Sequence, residues 1–242
     1  MRQVVKNGTL ILAILIAASC QVKNSNDQSM TNHWNTYKVY LRSTLPIYYE
    51  RLNAPASHAE IQDLELMIGG DLPQDFKLLY TENNGEDESW FNGGVLCGMR
   101  MLTISQIKNE IKKQKEIENS YNFNAKWSGE IWPEETIRTG AYYEKWIPVF
   151  TDNNGNFIGI DLTPASRGKY GQVINFGTDE YDHFVIAESL SELIELMNEQ
   201  FSNGSAAKAI FKNDNGDNVM FGLVKESHLT DDLRALIKKG KK

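Results

Sequence analysis

Four histidines and one turn-forming run, residues 152–156, are the parts of this sequence that could hold a metal ion. No histidine has a second ligand at the spacing of a zinc motif such as H-E-x-x-H. Residues 152–156 (Asp-Asn-Asn-Gly-Asn) resemble a calcium loop, but Gly155 is the fourth residue and Thr163 replaces the bidentate glutamate. A hairpin turn explains the run more simply. We expect no metal and no cofactor. The histidines are His33, His58, His183 and His228.

Two further arrangements could support catalysis. Glu134 and Glu135 lie beside Trp132 and could act as a glycosidase acid and base, but adjacent carboxylates usually diverge and a solvated loop is the alternative. Cys97 could be a nucleophile, yet it lies in the apolar run 95–97 with no histidine nearby in sequence. That setting favours a buried core residue. We expect no enzyme activity.

Two acidic segments that carry aromatic residues are the strongest candidates for a partner-binding surface. Exposed carboxylates steer a basic protein towards them, and aromatic rings supply much of the affinity. We therefore expect a protein partner, such as a basic toxin domain. The alternative is solvated loops with their rings turned into the core. The first segment comprises Glu82, Glu86, Asp87, Glu88 and Trp90, and the second comprises Asp179, Glu180, Tyr181 and Asp182.

Composition and charge exclude several classes of protein. The chain has 242 residues, of which 41% are hydrophobic and 24% charged, as in ordinary globular proteins. Its 25 basic and 32 acidic residues give a net charge of −7. Because nucleic-acid binding needs a basic face, we expect no nucleic-acid partner.

The first twenty residues predict an export signal with a lipid anchor. Arg2 and Lys6 precede an apolar run, residues 10–18, that is too short to span a bilayer. The sequence Ala-Ala-Ser before Cys20 resembles the lipobox of bacterial lipoproteins, in which the cysteine is acylated after cleavage. Loss of residues 1–19 would leave 23 basic and 32 acidic residues, a net charge of −9. We expect a chain exported to the cell envelope and anchored through Cys20, with the outer membrane favoured where one exists. A plain secretory signal and an uncleaved anchor are the alternatives.

In the remaining chain, segments with the apolar spacing of helices alternate with segments that have the apolar spacing of strands. Residues 20–36 are polar and predict a flexible tether. Apolar spacing predicts helices at 34–52 (broken at Pro46), 58–68, 73–82, 104–118 and 190–201. Alternating or continuous apolar runs predict strands within 90–104 and at 146–150, 157–162 and 172–176. The sequence predicts an irregular insertion at residues 119–141, and it predicts a hairpin followed by a helix at residues 205–242.

The order of these elements resembles the SUKH superfamily, in the branch named after the fungal cell-wall regulators Smi and Knr. The resemblance spans roughly residues 40–202 and predicts a domain at 37–204. It implies an α+β fold with helices on a mostly antiparallel sheet, here with a C-terminal hairpin and helix as an extension. The residues that carry it have scaffold roles: Leu72, Pro73, Asn84, Gly85, Trp146, Pro148, Gly155, Asn156 and Asp161.

The resemblance also implies a class of function. Bacterial SUKH-like domains are commonly immunity proteins that neutralise a polymorphic toxin by stoichiometric binding, and this is the function that we expect first. The alternative is an envelope scaffold or a regulator of cell-wall or surface-polysaccharide assembly. Because one fold can serve many functions, the resemblance alone does not identify the partner.

Overall fold

The first helix of the fold lies inside the segment predicted as a tether. The computed structural model describes residues 29–88, 93–121, 126–204, 210–212, 219–224 and 227–240. Helix α1 covers residues 29–44 and buries Met30, Trp34, Tyr37 and Leu41 on one face. The tether prediction is therefore wrong for residues 29–36, because Met30 and Trp34 extend the apolar stripe of Tyr37. Residues 1–28, which include the predicted signal and Cys20, lie outside the described residues.

Three helices follow, at the positions that the apolar spacing predicts: α2 (Pro46–Tyr49), α3 (His58–Ile68) and α4 (Gln74–Glu82). Pro46 separates α1 from α2, because proline has no backbone N–H to continue a helix. At the start of α3, the hydroxyl of Ser57 accepts the amide of Glu60 at 3.2 Å, and the carboxylate of Glu60 accepts the amide of Ser57 at 2.8 Å. These two reciprocal hydrogen bonds form a capping box.

The central sheet has six strands in the order β1-β3-β4-β5-β6-β2. All its pairings are antiparallel except that of β2 with β6. Every residue of β3, β4 and β5 is buried, which explains their continuous apolar runs. The strands are β1 (Arg100–Met101), β2 (Ile131–Trp132), β3 (Trp146–Thr151), β4 (Asn156–Asp161), β5 (Gln172–Gly177) and β6 (His183–Ala187).

Helix α5 (Ile104–Tyr121) packs on β3, and α6 (Leu190–Ser202) packs on β5 and β6. Together with α1, α3 and α4 they bury one continuous hydrophobic core against the sheet. The structure is thus an α+β fold, as predicted. The sequence does not predict β6, and among the described residues of the strand-like region 90–104, only Arg100–Met101 form a strand, β1.

The C-terminal extension consists of a hairpin and a helix, as predicted. Strands β7 (Ile210–Lys212) and β8 (Val219–Phe221) pair antiparallel, and α7 (Leu229–Gly240) packs on β6. Phe221, Leu229 and Leu233 are buried in the main core. The extension is therefore packed into the fold rather than appended to it.

Candidate functional site: an acidic protein-binding edge

Glu86 is buried and cannot belong to an exposed binding surface. Its side chain is fully buried, and Oε2 accepts the amides of Val95 at 3.0 Å and Met101 at 2.7 Å. Burial raises the pKa of Glu86 to about 7, although these two hydrogen bonds and the Arg51 guanidinium, 3.7 Å away, lower it. The prediction that Glu86 is an exposed partner-binding residue is wrong, because its carboxylate holds the turn before β1.

The other members of the first acidic segment differ in their surroundings. Glu82 forms an ion pair with Lys38 of α1 at 2.9 Å, so its charge is partly neutralised. Asp87 and Glu88 are exposed. Trp90 lies outside the described residues. The exposed acids of this segment are therefore Asp87 and Glu88.

A chain of hydrogen bonds leads from Glu88 to the turn between β3 and β4. The side-chain Nε2 of Gln106 donates to Glu88, and the side-chain Oε1 of Gln106 accepts Nη1 of Arg100 at 3.0 Å. Nε of the same arginine, which is buried, donates to Oδ1 of Asn153 at 3.0 Å. The turn therefore lies beside the first acidic segment.

The same turn contacts the second acidic segment on its other side. Oδ1 of Asn156 accepts the amide of Asp179 at 2.8 Å, and its Nδ2 donates to Asp152 at 2.8 Å. Gly155 lies in this turn at φ +93°. The turn thus connects the two segments, and the exposed side chains beside it form the acidic edge: Asp87, Glu88, Asp179 and Tyr181.

Tyr181 is the aromatic residue of the acidic edge. Its ring is 60% exposed, and its hydroxyl forms a hydrogen bond with Ser128. The ring centroid lies 6.5 Å from that of Trp127. The ring is thus held in position while most of its surface is open to a partner.

Two acids next to the edge are bound within the chain. Nη2 of Arg234 in α7 lies 2.8 Å from Asp182, whose other oxygen accepts the amide of Glu130 at 2.9 Å. Glu180 accepts Nδ2 of Asn175 at 2.6 Å. No local pattern pairs Arg234 with Asp182, since 52 residues separate them.

The electrostatics of the turn depend on a second residue of the extension. Nε2 of His228 lies 3.5 Å from Oδ2 of Asp152. Burial raises the pKa of Asp152, but this ion pair and the hydrogen bonds from Asn156 and Asn154 lower it more, to about 2. Asp152 in turn raises the pKa of His228. Asp152 is thus held as an anion at the centre of the edge.

The motif Leu72-Pro73 joins α4 to the sheet and to α6. Leu72 is buried, and a Cβ on Gly171 would lie 2.9 Å from Cγ of Pro73, so the loop before β5 packs directly on the proline ring. Two residues further on, Asp75 accepts the amide of Ser191 at 3.2 Å, which caps the start of α6.

The motif Asn84-Gly85 joins α3 to α5. Oδ1 of Asn84 accepts the amide of Ile104 at 2.9 Å, and its Nδ2 donates to Glu60 at 3.3 Å. Gly85 has φ +70°, and a Cβ there would lie 2.6 Å from the backbone of Leu102 and Thr103. Only glycine fits this position, because the chain passes so close with a left-handed backbone.

The motif residues of β3 and β4 are buried in the sheet. Trp146 is fully buried, and Pro148 pairs with Gly159 at a register shift, where a proline is tolerated. Asp161 accepts the amide of Thr163 at 2.8 Å and Nε2 of Gln172 at 3.0 Å. Burial raises its pKa to about 6, although these bonds lower it.

The residues first considered for catalysis lie either in the core or at the surface. Cys97 is buried, which raises the pKa of its thiol, while Glu134 and Glu135 are exposed. His183 is buried with its ring stacked on Trp127, and burial lowers its pKa to about 4. Within the described residues, no group of three or more His, Cys, Asp or Glu side chains could hold a metal ion. None of the described helices is long and apolar enough to cross a membrane.

The helices, the sheet order and the motif contacts together define an α+β scaffold domain of the SUKH type. The chain belongs to the SMI1 / KNR4 family (SUKH-1), whose model matches residues 55–196. The family that the sequence resembles is therefore confirmed. Helix α1 and the C-terminal extension lie outside the matched residues, although both pack on the core.

Several curated fungal proteins are similar to this chain. A cell wall biosynthesis/cell cycle regulator of Schizosaccharomyces pombe is 28% identical over 192 residues, which cover 74% of this chain and 38% of the relative. A cell wall assembly regulator of Saccharomyces cerevisiae is 38% identical over 168 residues, covering 57% and 32%. A glucan synthesis regulatory protein of Neurospora crassa is 20% identical over 206 residues, covering 72% and 39%. The matched parts thus span 32–39% of the length of these relatives.

Proposed function

We propose that this chain is a protein-binding regulator of cell-wall or surface-polysaccharide assembly, and that it acts by stoichiometric binding without turnover. The observation that carries the proposal is the acidic edge, where exposed carboxylates from two segments flank a held, exposed tyrosine. The wall-related names of the relatives support the choice of process. This is the alternative function that the sequence suggests, and we now prefer it to toxin neutralisation.

The edge suits a partner with a basic surface. Asp87, Glu88 and Asp179 steer such a partner through long-range attraction, which raises the rate of association and weakens with salt. Tyr181 supplies a rigid apolar surface for the contact itself. Asp152 adds a fixed negative charge behind the turn.

A charge-reversal experiment in cells tests this function. We expect that D87K/D179K fails to restore wall integrity to a strain that lacks the chain, measured as resistance to a wall-targeting antibiotic. The matched control is D63K/E116K, which reverses two exposed acids on α3 and α5 and should restore resistance fully. The proposal is contradicted if both variants restore resistance to the wild-type level at equal protein abundance.

Toxin neutralisation is a second candidate function, because an acidic edge equally suits a basic toxin domain. It stays a prediction of the SUKH resemblance. Cells that express the chain should then survive a toxin encoded by a neighbouring gene, and the D87K/D179K variant should not protect them. If the chain protects cells from the toxin, and a strain that lacks it shows no wall defect, toxin neutralisation is favoured over wall regulation.

We further propose that the chain is exported and anchored through an acylated Cys20. Mass spectrometry of the mature protein should find an N-terminal cysteine that carries acyl chains, and C20A should move the protein out of the membrane fraction. An N-terminus after residue 19 without lipid would contradict the anchor. This proposal is independent of the partner.

A further inference from the structure

A groove lies on the side of the molecule formed by α6, β6 and α7. It consists of three adjoining depressions of about 430, 390 and 320 Å³, all of which are lined by Glu192. Ile237 of α7 and residues 186–187 of β6 line the two smaller depressions, whereas residues 73–75 and 169–171 line the largest. Lys169, which is paired with Glu188, and Arg167 are the cations of this lining, and neither lines the smallest depression. The groove shares no lining residue with the acidic edge.

The floor of the two smaller depressions is apolar and partly open to solvent. Val185 and Ala187 of β6, Leu196 of α6 and Ile237 of α7 pack on the core but are only partly buried. Partly exposed apolar side chains from three elements thus meet in one depression. Covering them would remove further apolar surface from water, which favours binding.

One wall of the groove is an acidic stripe along α6. Glu192, Glu195 and Glu199 follow one another at spacings of three and four residues, so they share one face of the helix and extend for about 10 Å. All three are exposed. Glu192 also accepts the amide of Glu188 at 2.7 Å, and Glu195 lies 3.8 Å from Nε2 of His33. Glu199 borders the far end.

We infer that this groove binds an amphipathic basic helix of a partner protein. A helix that lies between α6 and α7 places apolar residues, spaced three and four apart, on the floor. Lysine or arginine residues along one side of that helix then face Glu195 and Glu199 at matching spacing. A second copy of this chain is disfavoured as the occupant, because its net charge of −7 repels the acidic stripe.

The inference goes beyond the proposed function, because it assigns a second surface on a different part of the molecule. A chain with both surfaces can hold two partners at once. Ile237 of α7 lines the two smaller depressions, and α7 lies outside the residues that match the family model. This surface is thus partly a property of this chain's own extension.

A peptide titration of the purified full chain tests the groove. The probe is a fluorescently labelled 18-residue synthetic peptide with leucines on one helical face and lysines beside it, and the control peptide permutes the same residues. We expect the patterned peptide to bind at least tenfold more tightly by fluorescence anisotropy, with affinity falling as salt rises. E195K/E199K should reduce the affinity at least tenfold, whereas D63K/E116K and D87K/D179K should leave it unchanged.

Several results would overturn the inference. Equal binding of the two peptides, or no binding of either, excludes an amphipathic helix as the ligand. An equal loss of affinity in all three variants means general charge attraction only. A dimer of the chain that E195K/E199K dissociates makes a second copy the occupant. The wall phenotype is measured with D87K/D179K, and peptide binding is measured with E195K/E199K. A negative result in the peptide titration therefore does not contradict the proposed function, and a negative result in the wall assay does not contradict the groove.

Discussion

The guanidinium of Arg234 lies 2.8 Å from the carboxylate of Asp182, so the C-terminal helix is joined to the acidic loop before β6. The same guanidinium lies over the ring of Phe184, 6.0 Å from its centroid. The chain therefore supplies its own basic residue to the acidic segment, next to the surface proposed for a basic partner. Docking of α7 thereby decides which acids stay exposed.

Breaking this contact should loosen α7. Because both side chains are about one third exposed, we expect R234A to lower the free energy of unfolding by only about 0.5–1 kcal/mol. Amide hydrogen exchange in α7 should nevertheless become faster. The control is K115A, which breaks the Lys115–Glu144 pair, where both side chains are more than half exposed, and should change neither measurement. Unchanged exchange in α7 of R234A would contradict this role.

His228 should titrate above its ordinary pKa of 6.5, because the Asp152 carboxylate favours the imidazolium. A group whose pKa is raised by folding stabilises the protein below 6.5, and this contribution is lost as pH rises through the folded pKa. NMR titration of the His228 ring should therefore give a raised pKa that falls in D152N. A pKa that is identical in wild type and D152N would refute the ion pair.

The contribution of Glu86 to the free energy of unfolding should change with pH in the opposite direction to that of an ordinary carboxylate. Its pKa rises from 4.5 to about 7 on folding, so the folded state binds the proton more tightly. The stability contribution of this group therefore falls as pH rises from about 4.5 to 7. Urea unfolding of wild type and E86Q at several pH values isolates the effect, since other groups cancel in the difference. We expect the variant to gain stability relative to wild type across this window, and a constant difference would contradict the raised pKa.

Gly85 should tolerate alanine much less well than Gly69. Both have a left-handed backbone, where a Cβ costs about 1–2 kcal/mol. A Cβ at Gly69 meets nothing within 4 Å, whereas one at Gly85 meets the backbone of residues 102–103 at 2.6 Å. We expect G85A to lose about 1–3 kcal/mol more than G69A in urea unfolding. Equal losses would mean that the close approach carries no strain.

Local signals in the sequence predicted much of the fold. The Ser57–Glu60 capping box and the apolar runs of β3, β4 and β5 depend on residues that are close in sequence, and these elements form where expected. Strand β6 was missed because the acidic residues just before it read as a loop. The part of α1 before residue 34 has no clear local signal, because Met30 stands among polar residues and only packing against the core reveals its role.

The candidate site was predictable only in part. A run of acids from 82 to 88 suggests a solvated loop, but Glu86 is turned inward by backbone amides 9 and 15 residues away. The pairing of Asp182 with Arg234 and of Asp152 with His228 depends on how the C-terminal extension folds back. Such contacts have no local pattern, because they join segments that are distant in sequence.

Photocrosslinking from the acidic edge tests the central claim most directly. A benzoylphenylalanine in place of the exposed Tyr181 should form one adduct in cells, with a basic protein of the wall-assembly machinery, and D87K should abolish it. The same group in place of Leu66, which is 79% exposed on α3, should not form this adduct. If position 181 forms no adduct, or an adduct that persists in D87K and also forms from position 66, the acidic edge is not the partner-binding surface.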